Sequence, residues 1–282
     1  MKPSVSFGIL DLPSTINYLK MRRCQAGGYC FYRLEEPNLA DTYFALASLN
    51  LVGSLSPDED TLAFLRSRQK RDGSYESIFQ AFFAIGGLRL LNAPPLFDPR
   101  DYLIAHTRTY DISLLPPGSA SIFAQLYHLT KLHRWLEVNL PPEKKRDLLS
   151  FVTSHQRGDG GFGHARSTLM ETRDAVFILQ YLGALVDLQK IYRFLRHCED
   201  EGHGFVNLPG NQFSYLEHIH AGLELSGLLS APPTYPKVIR DFLLACRRIN
   251  GGYARTTHTG IATLENTYLA LASFQLLSSL LS

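Results

Sequence analysis

The chain has 282 residues, of which 45% are hydrophobic and 19% are charged. This composition is typical of a globular protein and excludes wholesale disorder, and at this length about 75% of the unfolded surface can be buried. The formal net charge is only +2 and no long basic block occurs, so nucleic acid is not expected as a partner.

The lengths of the apolar runs and the spacing of the cysteines indicate the cellular location of the protein. No stretch of 18 apolar residues occurs, so no transmembrane segment is predicted, and peripheral membrane contact is left open. The first twenty residues carry acidic and polar side chains where a signal peptide needs a continuous apolar run. The four cysteines have no metal-like spacing, which suits a reducing environment. We therefore expect a cytoplasmic location.

Amphipathic and strongly apolar segments alternate along the chain, and each has the periodicity of a helix. In chain order they are 13–24, the run from Asp41, 58–69, the run from Gln80, 98–110, the run from Ser121, 141–156, the run from Glu171, 186–199, the run from Tyr215, 235–248 and the run from Asn266. No alternating strand pattern of useful length occurs. The sequence therefore predicts an all-α protein of about twelve helices in six pairs.

A glycine–aromatic turn recurs between the two helices of a pair. Its instances are Gly27-Gly28-Tyr29, Gly73-Ser74-Tyr75, Gly160-Gly161-Phe162, Gly204-Phe205 and Gly251-Gly252-Tyr253, and the third repeat lacks the double glycine. We expect the glycines to supply positive φ at a tight turn and the aromatic residue to fill the gap to the neighbouring repeat.

The last helix distinguishes an open solenoid from a closed ring. A solenoid needs a polar face on its terminal repeat, whereas the final run, TYLALASFQLLSSLL, is as apolar as the internal ones. We therefore predict a single α/α toroid domain over residues 1–282, with inner and outer helices around a central cavity.

The inner helices indicate what the cavity presents. The positions of Leu46 and Leu49 are apolar in nearly every repeat and should pack on the outer helices, and His220 there is interpreted as a hydrogen-bonded core histidine. The opposite face should line the cavity, with a polar mouth and a mostly apolar floor. The mouth is formed by Asp41, Gln80, Ser121, Glu171, Tyr215 and Asn266, and the deeper levels include Phe44, Phe83, Asp174, His218, Leu269, Ser48 and His128.

The polar residues of the mouth could cap their helices or could bind a ligand, and both interpretations stay open. Asp, Ser and Asn at a helix start are preferred N-caps, so these polar residues could serve only as caps. Tyr215 and Gln80 are poor caps, which favours a role in ligand binding.

The glycine turns and the helices after them resemble a known superfamily. The Gln–x–x–x–Gly–Gly–(Tyr/Phe) segments with following T-Y-x-A-L-x-x-L helices are similar to the repeats of protein prenyltransferase β subunits. Residues 69–75, QKRDGSY, resemble the corresponding motif of squalene–hopene-type triterpene cyclases. The resemblance covers essentially the whole chain and implies an α/α toroid with an isoprenoid ligand.

The resemblance also implies functional residues, and this chain departs from them. Protein prenyltransferases hold zinc through an Asp-x-Cys pair and a His, where this sequence has Gln212, Ser214 and Asn266. The diphosphate-binding Arg and Lys expected before that pair are replaced by the segment GFVNLPG. No metal site and no cofactor are therefore predicted, and zinc-dependent cysteine prenylation is not expected.

The Asp-x-Asp-Asp acid of the cyclases is absent as well. A carboxyl group buried among Phe44 and Phe83 would have a raised pKa and could act as a proton donor. We predict Glu171 as this acid, supported by Asp41 and Asp174.

Arg173 and Tyr215 are predicted to contact a polar head group, since arginine at a helix start can dock a diphosphate. The other predicted ligand-binding residues are Phe44, Gln80, Phe83, His128, His218 and Asn266.

These expectations define a prenyltransferase- or terpene-cyclase-like protein. It would bind an isoprenoid, as a diphosphate or a polyene, and would use non-standard catalytic residues without zinc. The alternatives are a non-catalytic isoprenoid-binding or partner-docking scaffold, and a β-like subunit that needs a helical α partner.

Overall fold

The computed structural model describes residues 10–32, 36–108, 121–185 and 187–282. Within these ranges it contains twelve helices and one two-stranded antiparallel ribbon. The helices are α1 (Leu12–Lys20), α2 (Leu39–Leu51), α3 (Glu59–Ser67), α4 (Ile78–Leu90), α5 (Arg100–His106), α6 (Ile122–Trp135), α7 (Pro142–Ser154), α8 (Leu169–Tyr181), α9 (Leu188–His197), α10 (Leu216–Leu228), α11 (Pro236–Ala245) and α12 (Leu264–Leu281), and the strands are β1 (Glu199–Asp200) and β2 (Gly204–Phe205). None of these helices is long and apolar enough to cross a membrane.

The even-numbered helices form a closed inner ring. Each packs on the next one, and α12 packs on α2. Each odd-numbered helix lies outside and contacts the inner helix that follows it. The protein is an α/α toroid, as predicted. Because an outer helix returns the chain between successive inner helices, all six inner helices run in the same direction and begin at one rim of the ring.

The outer helices end earlier than the sequence pattern predicts. Helix α1 ends at Lys20 rather than at residue 24, because Arg23 already pairs with Tyr29 in an antiparallel bridge. Equivalent bridges follow α7 and α11. Part of the predicted segment 98–110 lies outside the described residues. The starts agree more closely with the predicted segments, since α3 begins directly after its N-cap Asp58 and α7 begins at Pro142.

The first glycine of each glycine–aromatic turn has the predicted positive φ. Gly27 has a φ of +89°, and a Cβ there would lie 2.3 Å from the backbone of Asp60, so only glycine fits. The aromatic residues that follow the glycines are buried, with Tyr253 wholly so.

Three polar contacts join the first outer helix to the last repeat. Thr15 donates its hydroxyl hydrogen to the carbonyl of Gly251 at 2.8 Å, and the Tyr18 hydroxyl donates to the carbonyl of Ala262 at 2.9 Å. Arg247 forms a 2.9 Å ion pair with Asp11. The terminal repeats therefore cover each other, which explains why the last helix has no polar face.

Candidate functional site

The predicted mouth residues lie at the rim where the inner helices begin, and four of them do not act as N-caps. Asp41, Gln80, Glu171 and Asn266 are each the third residue of their helix. Their backbone N–H groups donate to the capping side chains of the residues three positions earlier, which are Asn38, Ser77, Thr168 and Thr263. The side chains of these four mouth residues therefore remain available for other contacts at the rim.

Two repeats are shifted by about one turn relative to the sequence alignment. Ser121 and Tyr215 occupy the N-cap position rather than the third helical position. In α10 the third residue is His218, and the fifth is His220, which corresponds to Tyr43 in α2. His220 is buried and its Nδ1 lies 3.3 Å from the Ser273 hydroxyl, so the expected hydrogen bond exists. In the corrected alignment, however, His220 has the helical position of Tyr43 and faces the interior of the ring.

The level predicted from Ser48 does not line the ring interior. Ser48 is fully buried, and a Cβ on Gly87 would lie 2.9 Å from Leu65 of the outer helix α3. In α4 this level therefore packs outward against α3.

A cavity of about 720 Å³ opens at the rim between the starts of α2, α8, α10 and α12, and we call it the rim cavity. Aromatic and aliphatic side chains form part of its wall, and carboxylates and amides form the rest. Its lining residues are Cys30, Phe31, Tyr32, Glu36, Asn38, Asp41, Met170, Glu217, Arg255, Thr263, Glu265, Asn266 and Leu269.

Of the predicted site residues, Asp41 and Asn266 line the rim cavity. Asp41 accepts hydrogen bonds from the Phe31 backbone N–H at 2.9 Å and from the Asn38 amide at 2.6 Å. It therefore holds the Phe31 segment against the start of α2. Glu171 lies at the rim between α6 and α8, where it accepts the Ser121 hydroxyl at 2.8 Å.

Gln80, Tyr215 and His218 do not line the rim cavity. Gln80 borders a cavity of about 540 Å³ between α2 and α4 and donates to Glu76 at 3.0 Å. Tyr215 borders a cavity of about 820 Å³ beside α11, and His218 accepts its backbone N–H at 3.2 Å. The structure thus separates residues that the sequence placed on one ring.

Below the rim, the half of the interior formed by α2, α4 and α12 is aromatic. The Phe44 ring lies 5.5 Å from both Phe83 and Tyr268, measured between ring centroids. His128 of α6 packs edge-on against Phe82 at 4.3 Å, and burial lowers its pKa to about 4. Phe44 and Phe83 therefore lie side by side, and His128 packs on the neighbouring Phe82.

The other half, formed by α6, α8 and α10, is charged, whereas an apolar floor was predicted. We call this cluster the central network. Its members are Tyr127, Lys131, Arg173, Asp174, His220 and Glu224.

Arg173 joins two carboxylates of the central network. Its Nε lies 2.6 Å from Asp174 and its Nη1 is hydrogen-bonded to Glu224. The Tyr127 hydroxyl donates to Glu224 at 3.1 Å, and Lys131 and His220 each lie 3.7 Å from it. Tyr127 and Lys131 lie on α6 and Glu224 lies on α10, and α8 stands between these two helices in the ring. Their contacts therefore cross the middle of the ring, which these side chains fill.

Burial and charge shift the pKa values within the central network in opposite directions. Burial raises the pKa of Asp174 to about 6, although Arg173 opposes the shift. Burial also acts to raise the pKa of Glu224, but Arg173, Lys131 and His220 hold it well below its usual value. Burial lowers the pKa of Lys131 and lowers that of His220 to about 4. Asp174 is therefore the carboxyl group of the central network that takes up a proton near pH 6, whereas Glu224 stays ionised there.

Sequence reasoning missed Tyr127, Glu224 and the central position of Lys131. Ser121 belongs to the residue types that cap helices, and treating it as a cap would have corrected the alignment of α6. Tyr215 carries no such signal, so the shift in α10 was not readable from the sequence.

The residues at the zinc-ligand positions of the prenyltransferase pattern do not fit a zinc ion. Gln212 and Ser214 border the cavity beside α11, while Asn266 lines the rim cavity. Among the described residues, no three His, Cys, Asp or Glu side chains come together in a way that could hold a metal.

A closed ring of parallel inner helices with a rim cavity over a polar and aromatic interior defines the α/α toroid class of proteins. Residues 10–82 and 118–282 match the prenyltransferase alpha-alpha toroid domain, and the chain belongs to this family. No curated protein sequence matches the chain significantly.

Solved structures share the fold at low sequence identity. Candida albicans protein geranylgeranyltransferase-I, complexed with GGPP, is 16% identical with a TM-score of 0.72, and the match covers 95% of this chain and 91% of that one. A variant of type II terpene cyclase MstE from Scytonema, in complex with its substrate geranylgeranyl dihydroxybenzoate, is 13% identical with a TM-score of 0.56, covering 95% and 96%. The shared feature is the toroid.

Proposed function

We propose that this protein is a zinc-independent, prenyltransferase- or terpene-cyclase-like protein that binds an isoprenoid through the rim cavity. The observation that carries the proposal is the cavity's wall, in which Phe31, Tyr32, Met170 and Leu269 offer an apolar surface at the entrance to the ring. Structures of the two related toroids named above contain GGPP and a geranylgeranyl compound, which supports this class of ligand.

Asp174 is the proton donor of this proposal, with Glu171 and Asp41 in supporting positions at the rim. Asp174 lies one helical turn below Met170, which lines the rim cavity, so about 6 Å of helix rise separates them. Its carboxyl group would add a proton to a carbon–carbon double bond, whose electron pair forms the new C–H bond. The carboxylate that remains is paired with Arg173 at 2.6 Å.

The carbocation formed in that step would face aromatic rings. The rings of Phe83 and Tyr268 each lie 5.5 Å from the Phe44 ring, measured between centroids. Aromatic faces attract cations by about 0.5 to 2 kcal/mol each, the larger value applying where water is excluded. The interior thus combines an acid with groups that stabilise positive charge.

Replacing Leu269 with Arg tests the binding step, because the longer, charged side chain would fill the rim cavity. The affinity for geranylgeraniol, measured by calorimetry, should fall at least tenfold in Leu269→Arg. The control is Leu281→Arg, in the same helix but at an exposed position, and it should bind as the unmodified protein does. Equal affinities in both variants would contradict binding at the rim.

A non-catalytic isoprenoid carrier is the second candidate, and the filled interior favours it. Every member of the central network has a partner within 3.7 Å, so the ligand would remain at the rim. Product analysis with Asp174→Asn and Glu171→Gln separates the two functions. An enzyme that uses one of these acids loses turnover in that variant and keeps its affinity, whereas a carrier forms no product in any version.

A further inference from the structure

The charges around the rim cavity bear on the head group of its ligand. Among the described residues that line it, Glu36, Asp41, Glu217 and Glu265 carry carboxylates and Arg255 carries the one guanidinium. The described wall therefore has a clear excess of negative charge beside its apolar surface.

Arg255 is already engaged by other groups. Its Nε donates to Glu217 at 2.8 Å, and its guanidinium carbon lies 4.1 Å from the centre of the Tyr215 ring. A phosphate group that binds Arg255 would lie next to the Glu217 carboxylate, with which Arg255 is already paired.

The cations below the rim are engaged as well. Arg173 is held between Asp174 and Glu224, and Lys131 lies 3.7 Å from Glu224. Withdrawing Arg173 to serve an anion would leave the buried Asp174 carboxylate without its cationic partner, which is strongly destabilising. The arginine predicted to dock a diphosphate is thus committed within the chain.

The carboxylates at the rim also repel one another. Burial raises the pKa of Glu265, and the neighbouring Glu217 and Asp41 raise it further. Most of the charges on the described wall are negative, so a diphosphate would bind next to groups of like charge.

We propose that the ligand of the rim cavity is an isoprenoid whose head group is uncharged or cationic, and that a prenyl diphosphate is rejected. This inference rests on the proposed function, and it selects the polyene over the diphosphate. The cavity and its apolar wall define the site, while the carboxylates and the committed cations set its charge preference. Chemistry in this site would begin with proton addition rather than with loss of diphosphate.

The test compares three probes with the same geranylgeranyl chain: the alcohol, the amine and the diphosphate. Calorimetric titrations in low and high salt, each with and without Mg²⁺, should show the diphosphate binding at least tenfold more weakly than the alcohol. Because salt screens the repulsion, the difference in affinity between the alcohol and the diphosphate should be smaller at high salt. The Glu265→Gln variant should also show a smaller difference in affinity between the alcohol and the diphosphate. Glu143 is an exposed residue at the start of α7, and Glu143→Gln should leave this difference unchanged.

The outcomes separate this inference from the proposed function. Diphosphate binding as tight as, or tighter than, alcohol binding, with or without Mg²⁺, would overturn the inference and leave isoprenoid binding intact. Binding of none of the three probes would overturn the proposed function, and the inference with it.

Discussion

At the scale of single residues, Asp174 combines deep burial with an ion pair to Arg173. Only 3% of its side chain is exposed, and its pKa is raised from 3.8 to about 6. The folded protein therefore binds this proton more tightly than the unfolded chain does. The stabilisation is fully present below pH 3.8 and is lost as the pH rises through about 6.

This titration predicts how the stability of Asp174→Asn compares with that of the unmodified protein. The quantity to compare is the unfolding free energy of the unmodified protein minus that of Asp174→Asn. This difference should decrease by about 2 to 3 kcal/mol between pH 4 and pH 7. Urea unfolding across this range measures it. Using the variant as reference cancels the opposite trend of Glu224, whose lowered pKa removes stability at acid pH.

An exposed carboxyl group serves as the control for this measurement. Asp147 lies on the solvent side of α7, and Asp147→Asn should have the same pH profile as the unmodified protein. A constant difference between Asp174→Asn and the unmodified protein over the whole range would show that Asp174 does not hold a proton in the folded state.

At the scale of helices, the central network links α6, α8 and α10 through Glu224. Replacing Glu224 with Leu removes the carboxylate partner of the buried Lys131 and one of the two carboxylate partners of Arg173, so we expect a loss of about 3 to 5 kcal/mol. Replacing Arg173 with Met should be similarly costly. The double variant Arg173→Met/Glu224→Leu should lose less than the sum, because it removes both charges of the pair.

A double-mutant cycle by urea unfolding measures this coupling, with Lys131 unchanged throughout. We expect a coupling energy of about 1 to 3 kcal/mol. Additive losses would mean that Arg173 and Glu224 contribute independently, and the central network would then not act as a unit.

The helices also show how far the sequence could predict the site. Apolar periodicity located all six pairs, and the polar residues Asp41, Gln80, Glu171 and Asn266 were correctly aligned at the rim. Helix α10 was misaligned because it begins at Tyr215, whose side chain makes no capping hydrogen bond. A shift of three residues rotates every assigned position by about 60° around the helix axis and moves it by almost one turn along the helix, so His220 and Glu224 were not assigned to the cavity.

At the scale of the whole molecule, closure was predictable and the filling of the interior was not. The apolar final helix required a covering partner, and α2 supplies it. Which side chains meet inside the ring depends on helices that are not neighbours, as with Tyr127 of α6 and Glu224 of α10. Periodicity within one helix carries no information about such a contact, so a mostly apolar floor was expected where charges are paired.

Closure of the ring gives the last prediction, because Gly251 lies where the sixth repeat meets α1. Gly251 has a φ of +89°, and a Cβ there would lie 2.3 Å from the carbonyl oxygen of Ser14. Gly251→Ala should lose about 3 kcal/mol or more of unfolding free energy, since it adds a backbone clash to the cost of positive φ. Gly210 provides the matched control, with a φ of +80° and nothing within 4 Å of an added Cβ. Gly210→Ala should lose only about 1 to 2 kcal/mol. Equal losses in urea unfolding would mean that the contact between Gly251 and Ser14 does not hold the ring closed.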